Sequence, residues 1–199
     1  MAVPFGKIAF EEGGDRTFDE TRKISKYYVS WEEFLGLAES VAEKLDPLKY
    51  DIVLGVANGG LSFAQTVYER IRDGNRELSC GSVQLRRYRQ EGDGRGVEFF
   101  YFPDELLRGK RTLVCDEVAD DGITLQALKT RLEEIGCSTE YATVFVKEGS
   151  AFNPDYYGRR IPKTVRHNGE AYLNWLVFPW EKEWAEFYLG RRAPAAKRT

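Results

Sequence analysis

The sequence predicts an α/β fold, a mainly parallel twisted sheet flanked by helices, and three observations carry that reading. The runs at residues 52–56, 112–115 and 141–146 are short and almost wholly apolar, as strands covered on both faces are. Segments 61–72 and 123–135 fall between them and place apolar residues at helical spacing. Strands alternating with helices imply parallel pairing through right-handed crossovers. At 199 residues, with 42% hydrophobic and 14% aromatic content, the chain is long enough for one such core and short for two.

Residues 6–26 are rich in charge and glycine without a sustained period, so residues 1–26 read as an irregular extension. The domain is expected over 27–189. Ser30 stands three residues before Glu33, the spacing of a capping box, and Phe34, Leu37, Ala38, Val41, Ala42 and Leu45 follow at helical intervals up to Pro47. The strand at 52–56 closes on Asn58-Gly59-Gly60, a glycine turn before the next helix. Two further strands, 82–87 and 97–102, flank the polar stretch 89–96, which reads as a mobile loop bearing Arg87, Tyr88 and Arg89. Residues 173–181 form an aromatic-rich strand and exit, and 190–199 a small basic tail.

Composition excludes several functions. A formal net charge of -3 provides no global basic field for nucleic acid or an anionic membrane, and the basic residues 86–89 and the tail do not change that balance. Cys80, Cys115 and Cys137 are odd in number and show no CxxC spacing, which argues for a reducing cytoplasm over a disulfide framework or zinc site. No apolar run approaches the roughly 20 residues that span a bilayer, and no secretion signal is expected at the N-terminus. His167, the sole histidine, stands in a polar stretch and reads as a surface residue.

The chemistry concentrates in the segment from Leu113 to Thr124, where an apolar strand runs into Asp116 and Glu117, then Asp120, Asp121 and Gly122, then a helix. In open parallel sheets ligands gather where strand carboxyl ends meet helix amino ends. Free first-turn amides there bind phosphate without a lysine, and adjacent carboxylates can accept from a vicinal diol or hold hydrated magnesium. Acids at a strand end also serve as plain helix caps.

This order of parts resembles the fingerprint of type I phosphoribosyltransferases, an apolar strand, two acids and a loop ending in Thr-Gly-x-Thr. The resemblance extends over roughly residues 27–181 and is strongest to xanthine, guanine and hypoxanthine phosphoribosyltransferases. It implies that Asp116 and Glu117 bind ribose hydroxyls and, with substrate and water, a magnesium ion. It implies that Ala119, Asp120, Asp121, Gly122, Ile123 and Thr124 hold the 5′-phosphate, with Asp120 as the general base. Ala57, Asn58, Gly59 and Gly60 would hold pyrophosphate. Lys147, Trp175 and backbone near Leu176 would bind a purine base, with the C-terminal segment forming a small hood. The implied activity transfers a phosphoribosyl group from 5-phosphoribosyl-1-pyrophosphate to a 6-oxopurine, in a homodimer.

This chain departs from the pattern at three positions. Glu117 replaces a second aspartate, and Asn58 stands where a cation often precedes Gly-Gly. Asp121 occupies the place of the first threonine, and two unit charges about 4 Å apart repel by roughly 4 kcal/mol at an effective dielectric of about 20. Asp121 must therefore turn outward or be neutralised. Asp121 and Asn58 also fit a regulatory protein that binds a nucleotide or phosphoribosyl ligand without turnover.

Overall fold

The computed structural model describes residues 15–89 and 95–189. Residues 1–14, 90–94 and 190–199 lie outside the described residues. The chain divides into two units, residues 35–163 and residues 1–34 with 164–199.

The larger unit carries a six-stranded sheet. Its strands are β3 (Ile52–Ala57), β4 (Ser79–Arg89), β5 (Arg95–Tyr101), β6 (Arg111–Ala119), β7 (Ser138–Lys147) and β8 (Tyr156–Ile161). Their order is β5-β4-β3-β6-β7-β8, and every pairing is parallel except that of β4 with β5. The apolar stretches Ile52–Val56 of β3 and Leu113–Cys115 of β6 are buried because helices cover both faces of a central parallel strand. Helix α2 (Gly60–Ile71) packs on β3 and β6 through Phe63, Ala64 and Val67. Beyond α3 (Asp104–Leu107), α4 (Ile123–Glu134) buries Leu125, Leu128 and Leu132 in a cluster with Leu54, Val83, Leu107 and Val114. Burial of side chains of this size contributes about 1.5–3 kcal/mol each.

The smaller unit carries a four-stranded sheet ordered β1-β2-β10-β9, from β1 (Asp15–Asp19), β2 (Ile24–Tyr28), β9 (Thr164–His167) and β10 (Glu170–Val177). The expected C-terminal segment supplies β9 and β10, and an N-terminal hairpin supplies the other half. The reading of 1–26 as irregular is therefore corrected over its described part. The reason is visible in the sequence: DRTFD and ISKYY mix charge into alternating strands, which gives no continuous apolar run. Helix α5 (Lys182–Leu189) follows β10.

Helix α1 (Trp31–Ala42) starts where the capping pattern predicts. Ser30 Oγ accepts from the Glu33 amide at 3.0 Å, one half of the box. The Glu33 carboxylate takes the Tyr27 hydroxyl at 2.9 Å. His167 is half-buried, stacked on Phe18 at a centroid separation of 3.9 Å, which corrects the expectation of a surface residue. No helix among the described residues is long and apolar enough to cross a membrane.

Candidate active site

Two consecutive strand-to-turn junctions of the larger unit build one cleft of about 380 Å³. The first follows β3, where residues 57–59 turn into α2; the second follows β6, where residues 116–122 turn into α4. Both lie at strand carboxyl ends, and Arg87 of β4 lines the same cleft.

Glycine lets the two turns meet. A Cβ on Gly59 would lie 2.1 Å from the Glu117 carboxyl carbon, and one on Gly60 would lie 2.5 Å from the Cys115 carbonyl oxygen. Gly122 has φ +85°, a left-handed conformation that costs other residues about 1–2 kcal/mol. Its own Cβ would lie 2.5 Å from the Phe152 amide nitrogen. The segment after β7 thus braces the acidic turn from below, with the Ala151 amide donating to the Asp121 carbonyl at 3.1 Å.

The paired acids occupy an electrostatically costly place. Burial, and then the neighbouring Glu117 carboxylate, push the Asp116 carboxyl well above the usual carboxylate range. Glu117 Oε2 is buried and has no hydrogen-bond partner among the described residues. A buried acceptor left unsatisfied costs about 1–3 kcal/mol, which a hydroxyl donor or a cation would remove.

Asp121 turns both of its carboxylate oxygens to use. Oδ1 accepts from the Ile123 amide at 3.2 Å, at the start of α4, and Oδ2 accepts from Arg87 Nη2 at 2.6 Å. Of the two outcomes the sequence left open, neutralisation is the one found. Arg86, one residue earlier on β4, instead lies over the Phe100 ring at 5.0 Å and faces Glu98. The alternation of a strand separates the two arginines.

The expected loop residues Arg87, Tyr88 and Arg89 belong to β4, and Arg89 pairs with Arg95 of β5. The strand reaches further than 82–87 because an antiparallel hairpin satisfies its backbone even where side chains are polar. The expectation of a mobile loop over 89–96 is corrected at residues 89, 95 and 96, which lie in strands, and its remainder, 90–94, lies outside the described residues.

At the end of β7, Lys147 Nζ lies 3.0 Å from Asp120 Oδ2, its side chain 3% exposed. This pairing joins two residues that sequence reasoning had assigned separately. Trp175 and Leu176 stand in the smaller unit on β10, where Trp175 pairs with Lys26 in register and Leu176 with Tyr27. Trp175 is 45% exposed, and Leu176 is buried. The brace by Ser150, Ala151 and Phe152 was missed from sequence; its signal was the glycine-serine turn just after Lys147.

Comparison with known proteins finds relatives of this chain. A family model described as the phosphoribosyl transferase domain matches residues 30–180. A hypoxanthine-guanine phosphoribosyltransferase of Lactococcus lactis is 29% identical over 71% of this chain and 79% of its own. The bifunctional protein PyrR of Citrifermentans bemidjiense is 28% identical over 66% of this chain and 79% of its own. A crystal structure of a purine phosphoribosyltransferase from Pyrococcus horikoshii superposes with a TM-score of 0.63 at 28% identity, covering 79% of this chain and 95% of that one.

Proposed function

The chain belongs to the phosphoribosyl transferase domain family, and on that premise we propose that it transfers a phosphoribosyl group from 5-phosphoribosyl-1-pyrophosphate to a 6-oxopurine, releasing pyrophosphate. The observation that carries the reading is the single cleft in which Asp116, Glu117 and the 119–124 turn face the Gly59 turn. A sugar diol, its 5′-phosphate and a pyrophosphate need these three kinds of group side by side.

In this reading Asp116 and Glu117 accept the ribose hydroxyls, and their negative charge favours the cationic sugar that develops as the anomeric bond loosens. The 119–124 amides fix the 5′-phosphate, and residues 57–60 receive the pyrophosphate end. The orphaned Glu117 Oε2 beside buried Asp116 fits a hydrated magnesium ion, held through water and substrate; among the described residues no cluster of three acids, histidines or cysteines offers a closed cage. Magnesium bound there would supply charge neutralisation for the leaving pyrophosphate. Asp120 is the proposed general base for the purine proton, and Lys147, already at its carboxylate, can donate to an exocyclic oxygen. Trp175 offers the stacking face and backbone at Leu176 the edge contact. The transferase domain in this proposal is residues 27–189, with β1 added to its smaller sheet, acting as a homodimer in a reducing cytoplasm.

Pyrophosphate release is the test, with donor, magnesium and each of guanine, xanthine, hypoxanthine, adenine and orotate. Turnover is expected with one or more of the three 6-oxopurines; turnover with orotate or adenine alone would overturn the base assignment. Asp120→Asn is expected to keep nucleotide binding and lose about 10²–10⁴-fold in kcat, the contribution of a general base. Unchanged kcat would remove Asp120 from the mechanism. A second reading, a phosphoribosyl-binding regulator without turnover, is favoured by one observation, the Asp121 carboxylate seated on the Ile123 amide.

A further inference from the structure

Asp121 brings a negative charge into a turn that must accept a phosphate, yet the structure shows that charge engaged. Arg87 reaches from β4 to Asp121 Oδ2 at 2.6 Å, and both side chains line the cleft together with Gly122 and Thr124. The Arg87 side chain is 36% exposed and that of Asp121 23%, so the pair borders solvent without being free in it. A guanidinium carries five N–H donors in a planar fork, and the contact with Asp121 uses Nη2. Its remaining edge can serve a second anion while Asp121 keeps the first.

We propose that Arg87, held in place by Asp121, is a phosphate ligand of this cleft, the two residues together replacing the threonine hydroxyl that Asp121 displaced. The assignment rests on the phosphoribosyl reading given above. It follows from geometry and charge. Removing Arg87 takes away the positive charge that lies 2.6 Å from Asp121 Oδ2; with Arg87 in place, the turn presents a cation bridged between two anions. Neighbouring Arg86 also lines the cleft, but its guanidinium is engaged by Glu98 at 3.6 Å and by the Phe100 ring, both on β5. Lysine would be a poor substitute, since a point charge cannot present two parallel donors to one anion while holding another.

Calorimetry of ribose 5-phosphate binding in metal-free buffer tests the assignment through a double-mutant cycle. Arg87→Ala is expected to weaken binding about 100-fold in the native background, where it also removes a cation from beside Asp121, and about 10-fold in an Asp121→Asn background, where it removes only a charge-assisted hydrogen bond. Arg87→Lys should recover part of the loss. Unchanged melting temperatures exclude a folding effect, which an exposed strand position makes easy to meet. Equal losses in both backgrounds, or a loss under about threefold in the native one, would overturn the role of the pair. A parent protein that binds ribose 5-phosphate no better than ribose would overturn the phosphoribosyl reading, and this assignment with it. Phosphate-dependent binding that ignores Arg87 would overturn the assignment alone.

Discussion

At Asp116 a carboxylate is buried against the Cys115–Gly60 contact with a second carboxylate beside it, and the cost has a sign that can be measured. An acid whose folded value is raised binds more protons folded than unfolded once pH exceeds its ordinary value near 4, so it lowers stability progressively as pH rises through that interval. Asp116→Asn is therefore expected to be more stable than the parent by on the order of 1–3 kcal/mol at pH 8 in metal-free buffer, with the difference vanishing near pH 3.5. Urea titrations at the two values check this; a difference independent of pH would mean that burial of charge is not what burdens the site. The acid pair itself was legible from sequence through the order of apolar strand, two acids and glycine turn, which resembles a known fingerprint; acids at a strand end alone would also fit a plain helix cap. Its environment was not, since nothing in the order of residues reveals that Glu117 Oε2 is buried. Likewise Asp121 and Arg87 were both singled out, but their separation of 34 positions along the chain hides their contact.

Among elements, the acidic turn depends on its brace as much as on its own sequence. Gly122→Ala must place a Cβ 2.5 Å from the Phe152 amide at φ +85°, and neither backbone can yield cheaply. We expect a loss of about 2 kcal/mol or more in stability and loss of ribose 5-phosphate binding, read by urea unfolding and calorimetry. A variant of native stability and affinity would show that residues 150–152 do not set the turn. The parallel strands β3, β6 and β7 and helices α1, α2 and α4 were all legible, because burial on both sheet faces writes a continuous apolar run and packed helices write a stripe. Strands β1, β8 and β9 were not. Sequences such as YYGRRI and TVRH mix polar and aromatic residues at sheet edges or in a half-exposed sheet, where alternation is weak and pairing partners decide. The β4–β5 hairpin was seen as two strands and a loop, and its length was underestimated because Arg87–Arg89 is polar yet paired.

At the scale of the whole molecule, the residues given roles in the proposal fall in both units. The larger carries the turns suited to phosphate and sugar; the smaller presents Trp175 on β10, 45% exposed. Trp175→Ala is expected to weaken purine nucleotide binding by about 1–3 kcal/mol, the range for stacked bases, while leaving ribose 5-phosphate affinity within about twofold. Equal losses for both ligands would point to unfolding of the smaller sheet. Its joint origin, N-terminal strands paired with C-terminal ones, was the largest architectural feature that sequence reading missed, since pairing across some 150 residues leaves no local signature. The central claim, that the turn between β6 and α4 is a phosphoribosyl cradle, is tested most directly by a crystal structure with guanosine 5′-monophosphate. We expect its 5′-phosphate oxygens within about 3.2 Å of the amides of residues 121–124, its ribose hydroxyls on Asp116 and Glu117, and an Arg87 nitrogen on the phosphate. A nucleotide bound elsewhere, with that turn still closed by Asp121 alone, would contradict the account.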